Sequence, residues 1–163
     1  YCYRVASCVG ILSAHIFGYK NKNTLTFAKN LGIALQLTNI IRDLGEDARR
    51  GRIYIPLDEL KKLSVSEEEI ISLKNSDKIK KLVQNQVDRA IKFYSLAIKT
   101  LPAEDKKSQK IGLIMGNIYF VLLNEILKDN PEKILNQKTI LPGFRKLRIS
   151  ILTMLGFSWI RNN

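Results

Sequence analysis

Apolar residues return along this chain at steps of three and four, the period of helices with one buried side. From Thr24 to about Asp47 there is no proline and no turn cluster. Leu25, Ala28, Leu31, Leu35 and Thr38 mark one face of a long helix there, entered through a turn at Asn21 to Asn23. The pattern repeats between Ser76 and Thr100 through Ile79, Leu82, Val83, Gln86, Ala90, Phe93 and Ala97, and Pro102 closes it. It repeats again between Glu104 and Lys128 through Ile111, Met115, Ile118, Leu122 and Ile126, so two antiparallel helices are expected. Gly51 and Pro56 bound an irregular stretch, residues 49–65 read as a loop, and Ser66 with Glu69 three residues on spells a capping box. Pro142 suits a first helical turn, and Phe144 to Trp159 is expected as a last helix whose end, Ile149 to Ile160, is apolar almost all round. No strand-like alternation survives over five residues between turn signals, and no repeat period emerges. The expected fold class is all-α, a helical bundle with helices of about 20 to 25 residues.

Length and composition agree with this. A chain of 163 residues that is 45% hydrophobic can bury one core, so a single domain over residues 1–163 is expected. The apolar run Tyr1 to Phe17 opens with no capping residue or turn, which reads as a helix met partway along, in a fragment. No run reaches the roughly 18 to 20 uninterrupted apolar residues that span a bilayer, and the start carries no signal-peptide pattern. Cys2 and Cys8, six residues apart on a helix, point to nearly opposite sides, which excludes a disulfide between them. A reducing, cytoplasmic setting is the resulting expectation.

A net charge of +12 asks for a phosphate-bearing partner: nucleic acid, an anionic membrane or a diphosphate. The lysines at 61–62, 78–81 and 106–110 are scattered and read mainly as solvated helix faces. A nucleic-acid-binding module would gather its cations on one face, so no nucleic-acid partner is expected. His15 has no Cys or acidic residue at ligand spacing and reads as a helix-packing residue.

Asn39, Asp43 and Asp47 stand at i, i+4 and i+8, so on one continuous helix their oxygens line one face, with Gln36 ahead of them. Two readings follow. The acids can belong to an exposed surface balanced by Arg42–Glu46 and Glu46–Arg50 pairs, or they can form a metal site. The apolar stretch before them, Leu31, Ala34, Leu35, Leu37, Ile40 and Ile41, favours a cleft. Mg²⁺ is typically held by one or two carboxylates plus substrate phosphates, and Arg49, Arg50 and Arg52 follow directly to neutralise a diphosphate.

The stretch ALQLTNIIRDLGEDARRGRIYIP, Ala34 to Pro56, resembles the second aspartate-rich signature of the squalene and phytoene synthases. YCYRVASCVG, Tyr1 to Gly10, is similar to that family's YCxxVAGxVG segment, and IYFVLLNEI, Ile118 to Ile126, to a later helix bearing an active-site tyrosine. The resemblance implies a bundle of the isoprenoid (terpenoid) synthase type and a prenyltransferase using Mg²⁺, with Mn²⁺ as the alternative. It implies catalytic roles for Tyr3, Asn39, Asp43 and Asp47, the last three as metal ligands. Gln36, Arg42, Arg50, Tyr119 and Arg145 would bind substrate, Tyr119 having a core aromatic as its alternative reading. The family's N-terminal DxxxD motif and nearby arginine have no counterpart here, so this piece is not expected to catalyse alone. Squalene synthases have tyrosine where this chain has Arg4, and Arg4 with IFGY, Ile16 to Tyr19, resembles the bacterial presqualene diphosphate synthases. No NADPH is therefore expected. The implied reaction joins two farnesyl diphosphates head to head into presqualene diphosphate, with phytoene or hydroxysqualene as alternative products. The segment Arg145 to Arg161 is either a buried bundle helix or a peripheral contact at the inner membrane face.

Overall fold

The computed structural model describes residues 1–74, 76–128 and 131–160, and among them there are helices and no strands. A π-helical turn, Tyr3–Ser7, runs into α1, Cys8–Phe17. There follow α2 (Asn23–Arg42), α3 (Leu44–Arg49), α4 (Leu57–Lys62), α5 (Glu67–Ile71) and α6 (Asp77–Thr100). After a 3₁₀ turn at Ala103–Asp105 come α7 (Lys110–Lys128), α8 (Pro131–Asn136) and α9 (Gly143–Met154).

Helix α2 is the centre of the bundle, packed along α6 and against α1 and α7. Phe27, Leu31, Ala34 and Ile41 of α2 are buried against a core that includes Ile79, Leu82, Val87 and Tyr94 of α6 and Leu123 and Ile126 of α7. Two contacts fix the directions. Thr38 meets the Tyr94 hydroxyl at 2.9 Å, and Thr24, at the start of α2, meets Asp105, just past the end of α6, at 2.7 Å. The two helices are therefore antiparallel. Gly112 and Gly116 of α7 face Phe27 and Leu31 in turn, so α7 runs with α2 and against α6. Because the Thr38 hydroxyl donates to the Ala34 carbonyl at 2.9 Å, the buried Tyr94 hydroxyl donates to Thr38, and both are satisfied.

The π-turn and α1 lie so close to α2 that only glycine fits at the two contacts. A Cβ at Gly10 would sit 2.8 Å from the Ala28 carbonyl oxygen, and one at Gly32 would sit 2.8 Å from that of Ala6. At the opposite end of α2 from Asp43, Asp105 holds the chain together: its carboxylate accepts from the N–H groups of Lys20 and Asn21 at 2.8 and 3.0 Å and from Thr24. Short helices are closed by their caps. Ser66 accepts from the Glu69 N–H at 3.1 Å while Glu69 accepts from the Ser66 N–H at 2.9 Å, the expected capping box, and Ser76 caps α6.

Five expectations are corrected. Residues 49–65, read as a loop, hold helix α4 at Leu57–Lys62. The helix expected from Thr24 to Asp47 breaks at Asp43 (φ −96°, ψ 5°), although Asp43 N–H still reaches the Asn39 carbonyl and Asp47 N–H that of Asp43, each at 2.8 Å. The axis kinks while the one-turn spacing survives. Helix α7 starts at Lys110 rather than Glu104, because Asp105 is drawn to the α2 entrance. Helix α9 stops at Met154: Gly156 adopts φ +99°, and N–H groups of Gly156 and Phe157 close on Thr153 and Leu152, a Schellman ending. The tail then returns to α7, where Asn117 accepts from the Trp159 N–H at 3.0 Å. Finally, Tyr94 rather than Phe93 is the fully buried aromatic of α6, and Ile111 and Met115 of α7 are exposed.

Helix α7 is by length and composition able to cross a membrane, yet here it packs Val121, Leu122, Leu123 and Ile126 into the bundle and buries Asn117 against Thr153 of α9. Cys2 and Cys8 are free thiols, and His15 sets its ring edge against Tyr19 at 5.2 Å.

Candidate active site

Two cavities meet on α2. The first, about 330 Å³, is an apolar groove between the π-turn, α1, α2 and α7, lined by residues such as Val5, Val9, Phe27, Leu35 and Met115, with Tyr119 at one side. The second, about 220 Å³, is polar and lined by Tyr1, Gln36, Asn39, Ile40, Arg42, Asp43, Asp47 and Tyr54. Gln36 and Asn39 line both and so stand at the junction. The close contacts of α1 and the π-turn with α2, at Gly10 and Gly32, set the groove's width on that side.

The carboxylates of the polar mouth differ in their surroundings. Asp43 is gripped by Arg42 through both oxygens, Nε to Oδ1 at 2.8 Å and Nη2 to Oδ2 at 2.7 Å, and Lys138 reaches Oδ1 at 2.8 Å. Burial pushes the Asp43 carboxyl up, but the hydrogen bonds from Arg42 and Lys138 outweigh it and hold it below the usual range. Asp47 is raised, first by burial and then by the neighbouring Asp43 and Glu46 carboxylates. Glu46 pairs with Arg50 at 2.7 Å and with Lys138 at 3.2 Å. Of the two ion pairs expected on the surface reading, Glu46–Arg50 is present, whereas Arg42 has turned to Asp43.

Lys138 arrives from far along the chain. Helix α8 sits on α3 at Gly45, where a Cβ would lie 2.6 Å from the Leu135 carbonyl carbon, and Arg49 donates to the Leu135 carbonyl oxygen at 3.0 Å. This seat carries the segment after α8 across to Asp43 and Glu46. Behind Arg42, a small cavity of about 90 Å³ is lined by Arg42, Lys138, Lys146 and Tyr119 with no carboxylate.

The remaining candidates are placed as follows. Tyr119 lines the groove and, with Arg42, the small cavity beside it. Tyr3 is half exposed with Lys29 Nζ 5.7 Å from its ring centroid and lines neither cavity; Tyr1, stacked on Tyr54 at 5.1 Å, takes the aromatic position at the mouth. Arg50 is mostly exposed beside Glu46. Arg145 is ion-paired with Glu125 at 3.0 Å and is not brought to the Asp43 mouth. Sequence reasoning missed Tyr1, Tyr54 and Lys138; Tyr1 and Tyr54 carried a signal, being inside the quoted Tyr1 to Gly10 and Ala34 to Pro56 stretches, and Lys138 carried none.

The fit of a divalent cation rests on Asn39. Its Oδ1 is buried with no hydrogen-bond partner among the described residues, a costly state for an acceptor unless a ligand completes it. Among the described residues no three His, Cys, Asp or Glu side chains converge into a cage. Asn39, Asp43 and Asp47 instead offer hard oxygens in succession, which suits an ion shared with substrate phosphates.

An apolar groove in a helical bundle thus opens onto a polar mouth that holds two carboxylates and the Arg42 guanidinium. The model of the squalene/phytoene synthase family matches residues 1–145, and the chain belongs to that family. It is 35% identical over 168 residues to a phytoene synthase of Arthrospira platensis, covering 95% of this chain and 54% of that protein. It is 42% identical over 132 residues to the chloroplastic phytoene synthase 2 of Solanum lycopersicum, covering 77% of this chain and 43% of that one. Among solved structures, a dehydrosqualene synthase bound to a ligand superposes with a TM-score of 0.82 at 26% identity over 95% of this chain and 54% of its own. The squalene synthase HpnC of Alicyclobacillus acidocaldarius, at 24% identity, shares the fold with a TM-score of 0.68 over 78% of this chain and 49% of its own. The chain spans about half the length of the curated relatives it matches.

Proposed function

We propose that the protein to which this chain belongs condenses two allylic prenyl diphosphates head to head, and that this chain supplies the groove for one prenyl tail and half of the ionising site. The observation that carries the reading is the position of Gln36 and Asn39, where an apolar groove meets a mouth of oxygen donors and cations. Bound Mg²⁺, or Mn²⁺, would supply neutralisation of diphosphate charge, with Asn39, Asp43 and Asp47 as its protein ligands. Arg42 and the cationic cavity beside it, with Lys146, suit the diphosphate oxygens. When the allylic C–O bond breaks, its electron pair leaves with the diphosphate, and the double bond of the second substrate attacks the cation. The groove walls keep water from that cation, and the Tyr119 face can stabilise it by about 2 kcal/mol when desolvated.

For the product, the likeness at Arg4 and Ile16 to Tyr19 supports farnesyl diphosphate as substrate and presqualene diphosphate as product, formed by proton loss and cyclopropane closure without NADPH. Phytoene is the second reading, favoured by the likeness to the phytoene synthases of Arthrospira platensis and Solanum lycopersicum. The exposed apolar side of α9, Phe144, Leu147 and Ile151 beside Lys146 and Arg148, supports a peripheral contact with an anionic membrane on the cytoplasmic side, where such substrates partition.

The test uses the full-length natural protein with Mg²⁺ and either farnesyl or geranylgeranyl diphosphate, without NADPH, products being read by mass spectrometry. Presqualene diphosphate from the first supports the first reading and a forty-carbon product from the second supports phytoene. Turnover of an Asp43→Ala, Asp47→Ala double variant at the natural rate would remove the proposed site.

A further inference from the structure

Lys138 occupies a place that the proposed chemistry does not explain. Its ammonium lies 2.8 Å from Asp43 Oδ1 and 3.2 Å from Glu46 Oε2, and Asp43 Oδ1 is at the same time the acceptor for Arg42 Nε. Both oxygens of Asp43 are thus already covered by N–H donors, three bonds in all from two cations. Asn39 Oδ1, one turn away, is buried and unpartnered, and the Asp47 carboxylate takes part in none of the ion pairs that Arg42, Arg50 and Lys138 make. The site therefore holds one overserved carboxylate beside two underserved oxygen donors. Asp43 Oδ1, with two donors, is full while Oδ2 carries one, so a divalent cation drawn to Asn39 and Asp47 takes Asp43 through Oδ1 only when a donor on that oxygen gives way, and the Lys138 charge opposes its approach to either oxygen.

Of the two donors, Lys138 is the one able to leave. Arg42 is four-fifths buried and held at both nitrogens by a planar two-point bond, whereas the Lys138 side chain is 39% exposed, makes single-point contacts and belongs to the connection between α8 and α9. We infer that Lys138 is an internal counter-ion that holds Asp43 in the metal-free protein and is displaced from it by the divalent cation, so that metal binding releases the segment following α8. The inference rests on Asn39, Asp43 and Asp47 being the metal ligands.

The experiment is a titration of the full-length natural protein with Mn²⁺, free ion being counted by its paramagnetic resonance signal. Two exposed-type ion pairs correspond to a Lys138→Met variant binding Mn²⁺ about three- to tenfold more tightly than the natural protein. Lys138→Arg, which keeps the charge, is expected to hold natural affinity within about twofold, and so is Lys146→Met, which removes a nearby charge from the same small cavity without touching Asp43. Hydrogen exchange over residues 137–141 should speed up on Mn²⁺ addition in the natural protein and already be fast in Lys138→Met. Unchanged or weaker binding by Lys138→Met, or equal tightening by Lys146→Met, overturns the counter-ion role. An Asp47→Asn variant that binds Mn²⁺ normally overturns the ligand assignment instead, so the two failures are distinct.

Discussion

Gly45→Ala tests how the acidic mouth is assembled. The added Cβ would lie 2.6 Å from the Leu135 carbonyl carbon and 2.9 Å from its Cα, all backbone atoms that no rotamer change can move. Restoring ordinary carbon contacts of about 3.5 Å requires α8 to retreat by about 1 Å. Overpacking of this kind costs about 1–3 kcal/mol. The Arg49 bond to the Leu135 carbonyl would stretch with it, adding about 1 kcal/mol, while alanine's better helix propensity returns a similar amount. The net loss of about 1–3 kcal/mol lowers the thermal midpoint of a domain this size by about 3–10 °C. Differential scanning calorimetry would measure it, with Gly143→Ala, whose Cβ meets nothing within 4 Å, as the control. The same displacement carries Lys138 off Asp43, so Gly45→Ala should also bind Mn²⁺ more tightly. A midpoint equal to or above that of the natural protein would refute the seating of α8 on α3.

Other expectations concern the far end of the bundle and its surface. Tyr94→Phe removes one buried donor while Thr38 keeps Ala34, and should cost about 1 kcal/mol in chemical denaturation; the double variant with Thr38→Val should cost less than the two singly added. Burial raises Asp105, but hydrogen bonds from Thr24 and the N–H groups of Lys20 and Asn21 outweigh it and depress its pKa. Its contribution is therefore complete above the unfolded value of about 3.9 and is lost as pH falls through the lower folded value, and Asp105→Asn should flatten that part of the stability profile. Leu147→Asp, on the exposed side of α9, should lower co-flotation with vesicles containing anionic lipid while leaving the melting midpoint within about 1 kcal/mol equivalent, as expected for a surface position.

The long helices were legible because apolar residues return at three- and four-residue steps through α2, α6 and α7 over many turns, and the Ser66–Glu69 cap was legible because its bonds are local. The interruptions were not, since they are set by partners distant in sequence. The α2 break at Asp43 is held by Lys138, whose other acceptor, Glu46, is 92 residues away, and the late start of α7 follows from Asp105 binding Thr24 across 81 residues. The same division runs through the site. Gln36, Asn39, Asp43 and Asp47 line one mouth across the kink at a spacing visible in the sequence, whereas Tyr1 meets Tyr54 only through the fold. Tyr3 and Arg145, whose expected roles come from resemblance, stand outside the groove and the polar mouth, Tyr3 lying beneath Lys29 and Arg145 being engaged by Glu125.

The Asp105 latch makes the two ends of α2 unequal toward dissolved ions. At the entrance, a carboxylate only 1% exposed is bonded to backbone N–H groups and a hydroxyl, all short-range and shielded from counter-ions. At the exit, Asp43, Glu46 and Lys138 are joined by charge attraction between side chains that remain 21–39% exposed. Salt at 1 M shortens the screening distance to about 3 Å and so weakens the second set while sparing the first. The molecule is thus clamped at its base and ionically tunable at its mouth, and the electrolyte around it can loosen the entrance to the site without unfolding the bundle that frames it.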